Sequence, residues 1–176
     1  LAVGDALGVL AQLASALAYA HRAGVVHRDL KPGNVILGGG RAKIIDFGLE
    51  KLAADEGLTR LTEDQQALGS PLYWAPEQST NKQVGPAADV YALGGIAYFA
   101  LSGVPLFKPA PPVALVYAHA NERPEPLAER CRGIELPAGL GEMIAAGVAK
   151  APPARPHAAD LVTALERRIA SLPAAA

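Results

Sequence analysis

Four residues in one short stretch could do chemistry together: Asp29, Lys31, Asn34 and Asp46. Transfer of a phosphoryl group asks little covalent work of a protein. It asks for in-line geometry, cations against the phosphates and a group that orients the nucleophilic hydroxyl. Asp29 is a carboxylate with the cations Arg28 and Lys31 beside it, suited to orienting a hydroxyl. Lys31 is a point charge suited to a moving phosphoryl group. Asn34 and Asp46 offer the hard oxygen donors that Mg²⁺ takes, one or two from protein and the rest from phosphate and water. Taken singly, each residue also has an ordinary structural reading: a turn carboxylate, a solvated lysine, an Asx turn, a helix or turn cap.

The strings around them narrow the choice. His27-Arg28-Asp29-Leu30-Lys31-Pro32-Gly33-Asn34 is followed by Asp46-Phe47-Gly48 and then by Ala75-Pro76-Glu77, in that order. Together they match three parts of the protein-kinase signature set. The chain therefore resembles the eukaryotic-type Ser/Thr protein kinases, over about Leu1 to Arg168, and only their C-terminal lobe. The Ala- and Pro-rich style and the Ala75-Pro76-Glu77-Gln78 string look most like bacterial members. The resemblance implies a mainly α lobe with a small β-hairpin. It also implies transfer of the ATP γ-phosphoryl group to Ser/Thr hydroxyls of protein substrates, with ATP and Mg²⁺ as cofactors.

Residue by residue, the resemblance makes Asp29 the catalytic base and Lys31 its cationic partner at the phosphates. Asn34 and Asp46 become the metal ligands, and Ile36 the apolar floor under the adenine ring. His27 and Phe47 become packing residues of a column between the lobes, with no acid–base role for His27. The segment from Asp46 to Glu77 corresponds to the activation segment. Thr59 and Thr62 are its plausible phosphorylation sites, and Arg28 would receive the phosphate through charge-assisted hydrogen bonds. Ser70 would touch Asp29 and Lys31 and help select hydroxyl substrates. Glu77 and Arg155 match a family ion pair, and Asp89 matches the carboxylate that anchors the catalytic loop. The family's Lys-Asp-Pro-x-x-Arg-Pro is here Lys150-Ala151-Pro152-Pro153-Ala154-Arg155-Pro156, which keeps the arginine and loses the aspartate.

The elements that must position these residues can be read from pattern. Asp5 to about Ala23 is an Ala/Leu-rich helix with Leu10, Leu13, Leu17 and Tyr19 on a broad apolar face and Gly24 to stop it. Val35-Ile36-Leu37 and Lys43-Ile44-Ile45 read as a hairpin joined through Gly38-Gly39-Gly40-Arg41-Ala42. That glycine run lacks the spacing of a phosphate loop. Leu49 to Leu72 is polar and without period, a long loop. Between Asp89 and Lys108 no residue is charged. Gly103 and Pro105 end any helix near Leu101, which makes this segment a buried core helix rather than a membrane span. Beyond Ala87 the pattern is helical again, punctuated by Pro/Gly/Glu-rich connections at 103–112 and 121–139, with Leu140–Ala149 and His157–Ala170 as the last expected helices. Residues 1–170 form the domain, and 171–176 a frayed tail.

The chain has 176 residues, about half of them apolar (51%), and a formal net charge of −1. That length supports one substantial core. Near-neutral charge leaves no electrostatic footprint for nucleic acid or an anionic membrane. The single cysteine, Cys131, cannot form an internal disulfide, so a cytoplasmic location is the default, compatible with a membrane-anchored parent. Leu1 stands first and the only methionine is Met143, which points to a piece of a longer reading frame. The glycine-rich strand-turn and the lysine strand of a complete kinase are absent from it. The missing N-terminal lobe then becomes a partner, and the isolated chain is expected to be inactive. The alternative is a non-catalytic, kinase-like scaffolding module, against which the joint presence of Asp29, Lys31, Asn34 and Asp46 counts.

Overall fold

A computed structural model describes residues 1–47, 71–80 and 84–172. Helix α1 spans Val3–Arg22 and buries Leu7, Leu10, Leu13 and Leu17 along one stripe. Each fully buried leucine contributes about 2 kcal/mol. The stripe packs on the last helix, on the long central helix and on the hairpin. Gly24, at φ 75°, ends α1 as expected. Its N–H donates to His21 O at 3.0 Å and Val25 N–H to Ala20 O at 2.9 Å, the paired bonds of a Schellman stop. Tyr19 departs from expectation: it is 72% exposed. Two residues after Leu17 it lies about 200° around the helix, on the outer face, where Arg22 stacks over its ring.

Strands β1 (Val35–Gly38) and β2 (Arg41–Ile44) pair antiparallel, with Val35 opposite Ile44 and Gly38 opposite Arg41. The turn is tighter than the five residues the pattern suggests. Gly39 and Gly40, at φ 56° and 72°, close it alone, as a two-residue hairpin turn requires. Gln12 of α1 grips this turn, donating to Gly40 O at 3.2 Å and accepting from Ala42 N–H at 2.9 Å.

Helix α2 (Pro86–Ser102) is the axis of the lobe, buried on nearly every side from Ala88 to Tyr98 and again at Leu101. Pro86 opens it, and Gly103 at φ 76° closes it near the expected point. Around it lie α3 (Pro112–Asn121), the single turn α4 (Leu127–Arg130), α5 (Leu140–Gly147) and α6 (Ala158–Ala170). Turn α4 falls inside the expected 121–139 connection, pinned by buried Leu127 and Cys131. His157 caps α6 instead of joining it, its N–H donating to Asp160 Oδ2 at 3.1 Å. Leu172, expected in the frayed tail, packs partly buried against the core. Among the described residues the fold is thus mainly α with one small hairpin. Among the described residues, α1 is the one helix long and apolar enough to cross a membrane, but its leucines are spent on the core.

Candidate active site

The loop from His27 to Asn34 is held by the first turn of α2. Asp89 is buried, and its carboxylate accepts from His27 N–H and Arg28 N–H, each at 2.8 Å. His21 Nε2–H donates to the same carboxylate at 2.8 Å. Three donors offset the burial of one charge. His21 follows Leu17 by one helical turn, so a polar residue in an apolar stripe was the sequence signal for it. Arg28 is forced to φ 69° by this arrangement. Left-handed backbone at a non-glycine residue stores strain, and such residues cluster at functional sites.

His27 does more than pack. Asp29 N–H donates to its Nδ1 at 3.2 Å, which makes Nδ1 the acceptor and leaves Nε2–H to donate to Ile45 O at 2.9 Å. The imidazole thus bridges the loop to the residue before Asp46. Phe47 packs against it at a tilt, with centroids 4.7 Å apart.

Asp29, Lys31 and Asn34 converge. Lys31 Nζ donates to Asp29 Oδ2 at 2.6 Å, and Asn34 Nδ2 donates to that oxygen at 3.2 Å and to Asp29 O at 2.8 Å. Both bonds fall on Oδ2, which leaves Oδ1 to receive another donor. The turn Pro32–Asn34 delivers Asn34 to the start of β1, and Asp46 follows β2. Because Ile45 N–H donates to Asn34 O at 3.0 Å, Asn34 and Asp46 sit at the same open end of the hairpin. Asp46 is exposed and left-handed at φ 58°. This donor set suits a hard cation: the Asn34 amide nitrogen is committed to Asp29, so its carbonyl oxygen, like the exposed Asp46 carboxylate, is left to accept. Ile36 pairs with Lys43 and is 53% exposed, an open apolar surface at the hairpin.

Further out, Arg155 forks onto Glu77 at 2.6 and 2.9 Å, both side chains buried. Neighbouring Gln78 donates to Arg28 O at 2.7 Å, a contact no sequence pattern signals. The Arg28 Nε is buried without a partner among the described residues. Thr59, Thr62 and Ser70 lie outside the described residues, as do Gly48 and the rest of 48–70. A shallow surface depression is lined by Asp29, Lys31, Tyr73, Trp74 and Gln78, among others.

The sequence pattern of the protein kinase domain matches residues 3–162, which contain every residue of this constellation. The chain belongs to the protein kinase domain family. Among relatives of this kinase domain, serine/threonine-protein kinase PknB of Mycobacterium tuberculosis is 36% identical over 148 residues, covering 84% of the chain and 23% of the relative. PknB of Mycobacterium leprae is 34% identical over 149 residues, with 84% and 23% covered. The protein named serine/threonine-protein kinases drp72 of Corynebacterium efficiens is 45% identical over 120 residues, covering 68% of the chain and 22% of the relative. The kinase domain here thus spans less than a quarter of the length of these curated relatives.

Proposed function

We propose that this chain is the C-terminal lobe of a Ser/Thr protein kinase that transfers the ATP γ-phosphoryl group to protein Ser/Thr hydroxyls. The observation that carries the proposal is the Asp29 carboxylate. Lys31 and Asn34 hold one of its oxygens, at 2.6 and 3.2 Å, and the other is left for a hydroxyl. In this reading a substrate hydroxyl donates to Asp29 Oδ1 and is aimed at the phosphorus. Lys31 offsets charge on the transferring group. Asn34 Oδ1 and the Asp46 carboxylate would hold Mg²⁺, which when bound neutralises phosphate charge. The exposed face around Ile36 would receive the adenine ring.

That exposed face also supports a second lobe as the partner that closes the site. Electrostatic stabilisation depends on excluding water. The 176-residue polypeptide alone should therefore give negligible peptide phosphorylation, and robust turnover by it would refute this part. The single buried thiol, Cys131, is in keeping with catalysis in a reducing cytoplasm.

The deciding experiment is Asp29→Asn in the complete protein. Turnover should fall by about three orders of magnitude or more while Mg-ATP affinity stays within a few-fold, because the carboxamide cannot accept the hydroxyl proton. Retained turnover would remove Asp29 from this role.

A further inference from the structure

Gln78 lies in the short turn Pro76–Ser79 and is partly buried. Its side-chain amide spans two backbone groups. Nε2 donates to Arg28 O at 2.7 Å, and Oε1 accepts from Ala75 N–H at 2.9 Å. A backbone N–H needs an acceptor and a carbonyl needs a donor, so these partners fix the orientation of the amide.

The carbonyl it grips is the one that aims Asp29. Arg28 O and Asp29 N–H are the two polar edges of a single peptide plane. Asp29 N–H is held by His27 Nδ1 at 3.2 Å, from within the loop. Arg28 O is held by Gln78, from a turn 50 positions later in the chain. On the other side of the Arg28 α-carbon, Arg28 N–H is tied to Asp89 Oδ1 at 2.8 Å. Arg28 itself is left-handed at φ 69°, a conformation that persists only where the surroundings over-determine it. Releasing the carbonyl lets this plane rotate toward an ordinary conformation, and that rotation swings the Asp29 side chain.

We propose that Gln78 is a positioning residue for Asp29, locking the Arg28–Asp29 peptide plane and making a productive carboxylate conditional on the docked 76–79 turn. The Glu77–Arg155 pair holds that turn from the next residue, so the clamp joins the C-terminal part of the lobe to the catalytic loop. The inference rests on the reading of Asp29 as the group that receives the substrate hydroxyl.

The test uses the complete protein with Gln78→Glu and Gln78→Met, and Asp29→Asn as control. Glutamate keeps an acceptor for Ala75 N–H and sets an oxygen against Arg28 O. Methionine removes both bonds without adding charge. Both variants should lower kcat for peptide phosphorylation by about 10- to 100-fold, the cost of a misplacement near 1 Å. KM for Mg-ATP should stay within about twofold, since Gln78 acts through Asp29 and not on nucleotide. Amide hydrogen exchange over residues 27–31 should quicken while α1 and α2 keep their protection. Unchanged kcat in both variants overturns the proposal, as does a kcat loss that comes with lost protection throughout α1 and α2. If the wild-type protein shows no turnover, or Asp29→Asn retains it, the reading of Asp29 fails instead. Exchange at 27–31 then decides the clamp by itself, and unchanged exchange in both variants overturns it.

Discussion

Arg155 brings five N–H donors into a buried site, and each one meets an oxygen. Two go to Glu77; Nε donates to Ala149 O at 2.7 Å, and the remaining two go to Ala87 O at 2.9 Å and Lys150 O at 3.0 Å. The guanidinium also lies over the Tyr91 ring, 4.9 Å from its centroid. Arg155→Met strands the Glu77 carboxylate and three backbone carbonyls. It should cost about 3–5 kcal/mol of stability in urea unfolding, whereas replacing both partners by apolar residues should cost less than the sum of the single changes. A sum that is merely additive would mean the pair is not coupled. Nothing in the spacing of Glu77 and Arg155, 78 positions apart, joins them; only the family resemblance named the pair. The string His27 to Asn34 was legible because its chemistry is packed into eight consecutive residues. Gln78 was not, because an amide after Pro76-Glu77 has no pattern to distinguish a clamp from a solvated side chain.

Helix α2 approaches α5 so closely that a side chain at Gly94 has no room. A Cβ there would lie 2.7 Å from Val148 Cγ1, with the Gly147 and Val148 backbone at 3.4 and 3.5 Å. Alanine gains about 1 kcal/mol of helix propensity over glycine. Overpacking against a stiff β-branched neighbour and fixed backbone costs about 1–3 kcal/mol, so the clash should win. Gly94→Ala should lower the unfolding midpoint, and adding Val148→Ala should recover part of the loss. Gly95→Ala should be nearly neutral, because its nearest atom is a carbon of the half-buried Tyr73 ring at 3.2 Å, which can yield. A stabilised Gly94→Ala protein would contradict this packing. Helix α2 was legible as a core element from its missing charges, whereas Tyr19 on α1 was misplaced by counting apolar residues without their angles. The first strand was read one residue short, and the second started late and ran on to Ile45, because glycine and arginine at 38 and 41 do not look like strand, yet the two left-handed glycines between them leave them no other place.

At the scale of the whole lobe, the order of helices and hairpin follows the sequence pattern, but the polar seam that joins α2, α3 and the 150–155 turn does not. His119 of α3 is buried where apolar packing alone would be expected. Tyr91 of α2 meets it: burial raises the phenol's pKa, and its hydroxyl shares a hydrogen bond with His119 Nδ1 at 2.9 Å. Phe107 packs edge-on at 4.9 Å, and Lys150 Nζ donates to His119 O at 2.7 Å. Burial, with the Lys150 charge second, pushes the imidazole down to about 4 from 6.5; the Leu72 carbonyl opposes them weakly. The sign follows from which state binds the proton first. The unfolded chain takes it up near 6.5 and the folded lobe only near 4, so His119 leaves stability untouched above the first value and lowers it as pH falls through the window. The full drop is about 3 kcal/mol, at about 1.4 kcal/mol per pH unit. His119→Gln keeps an acceptor for Tyr91 O–H and carries no titration. Urea unfolding from neutral pH down to about 4 should therefore show a steeper loss for the wild-type protein than for His119→Gln, and equal slopes would show that this histidine titrates alike in both states.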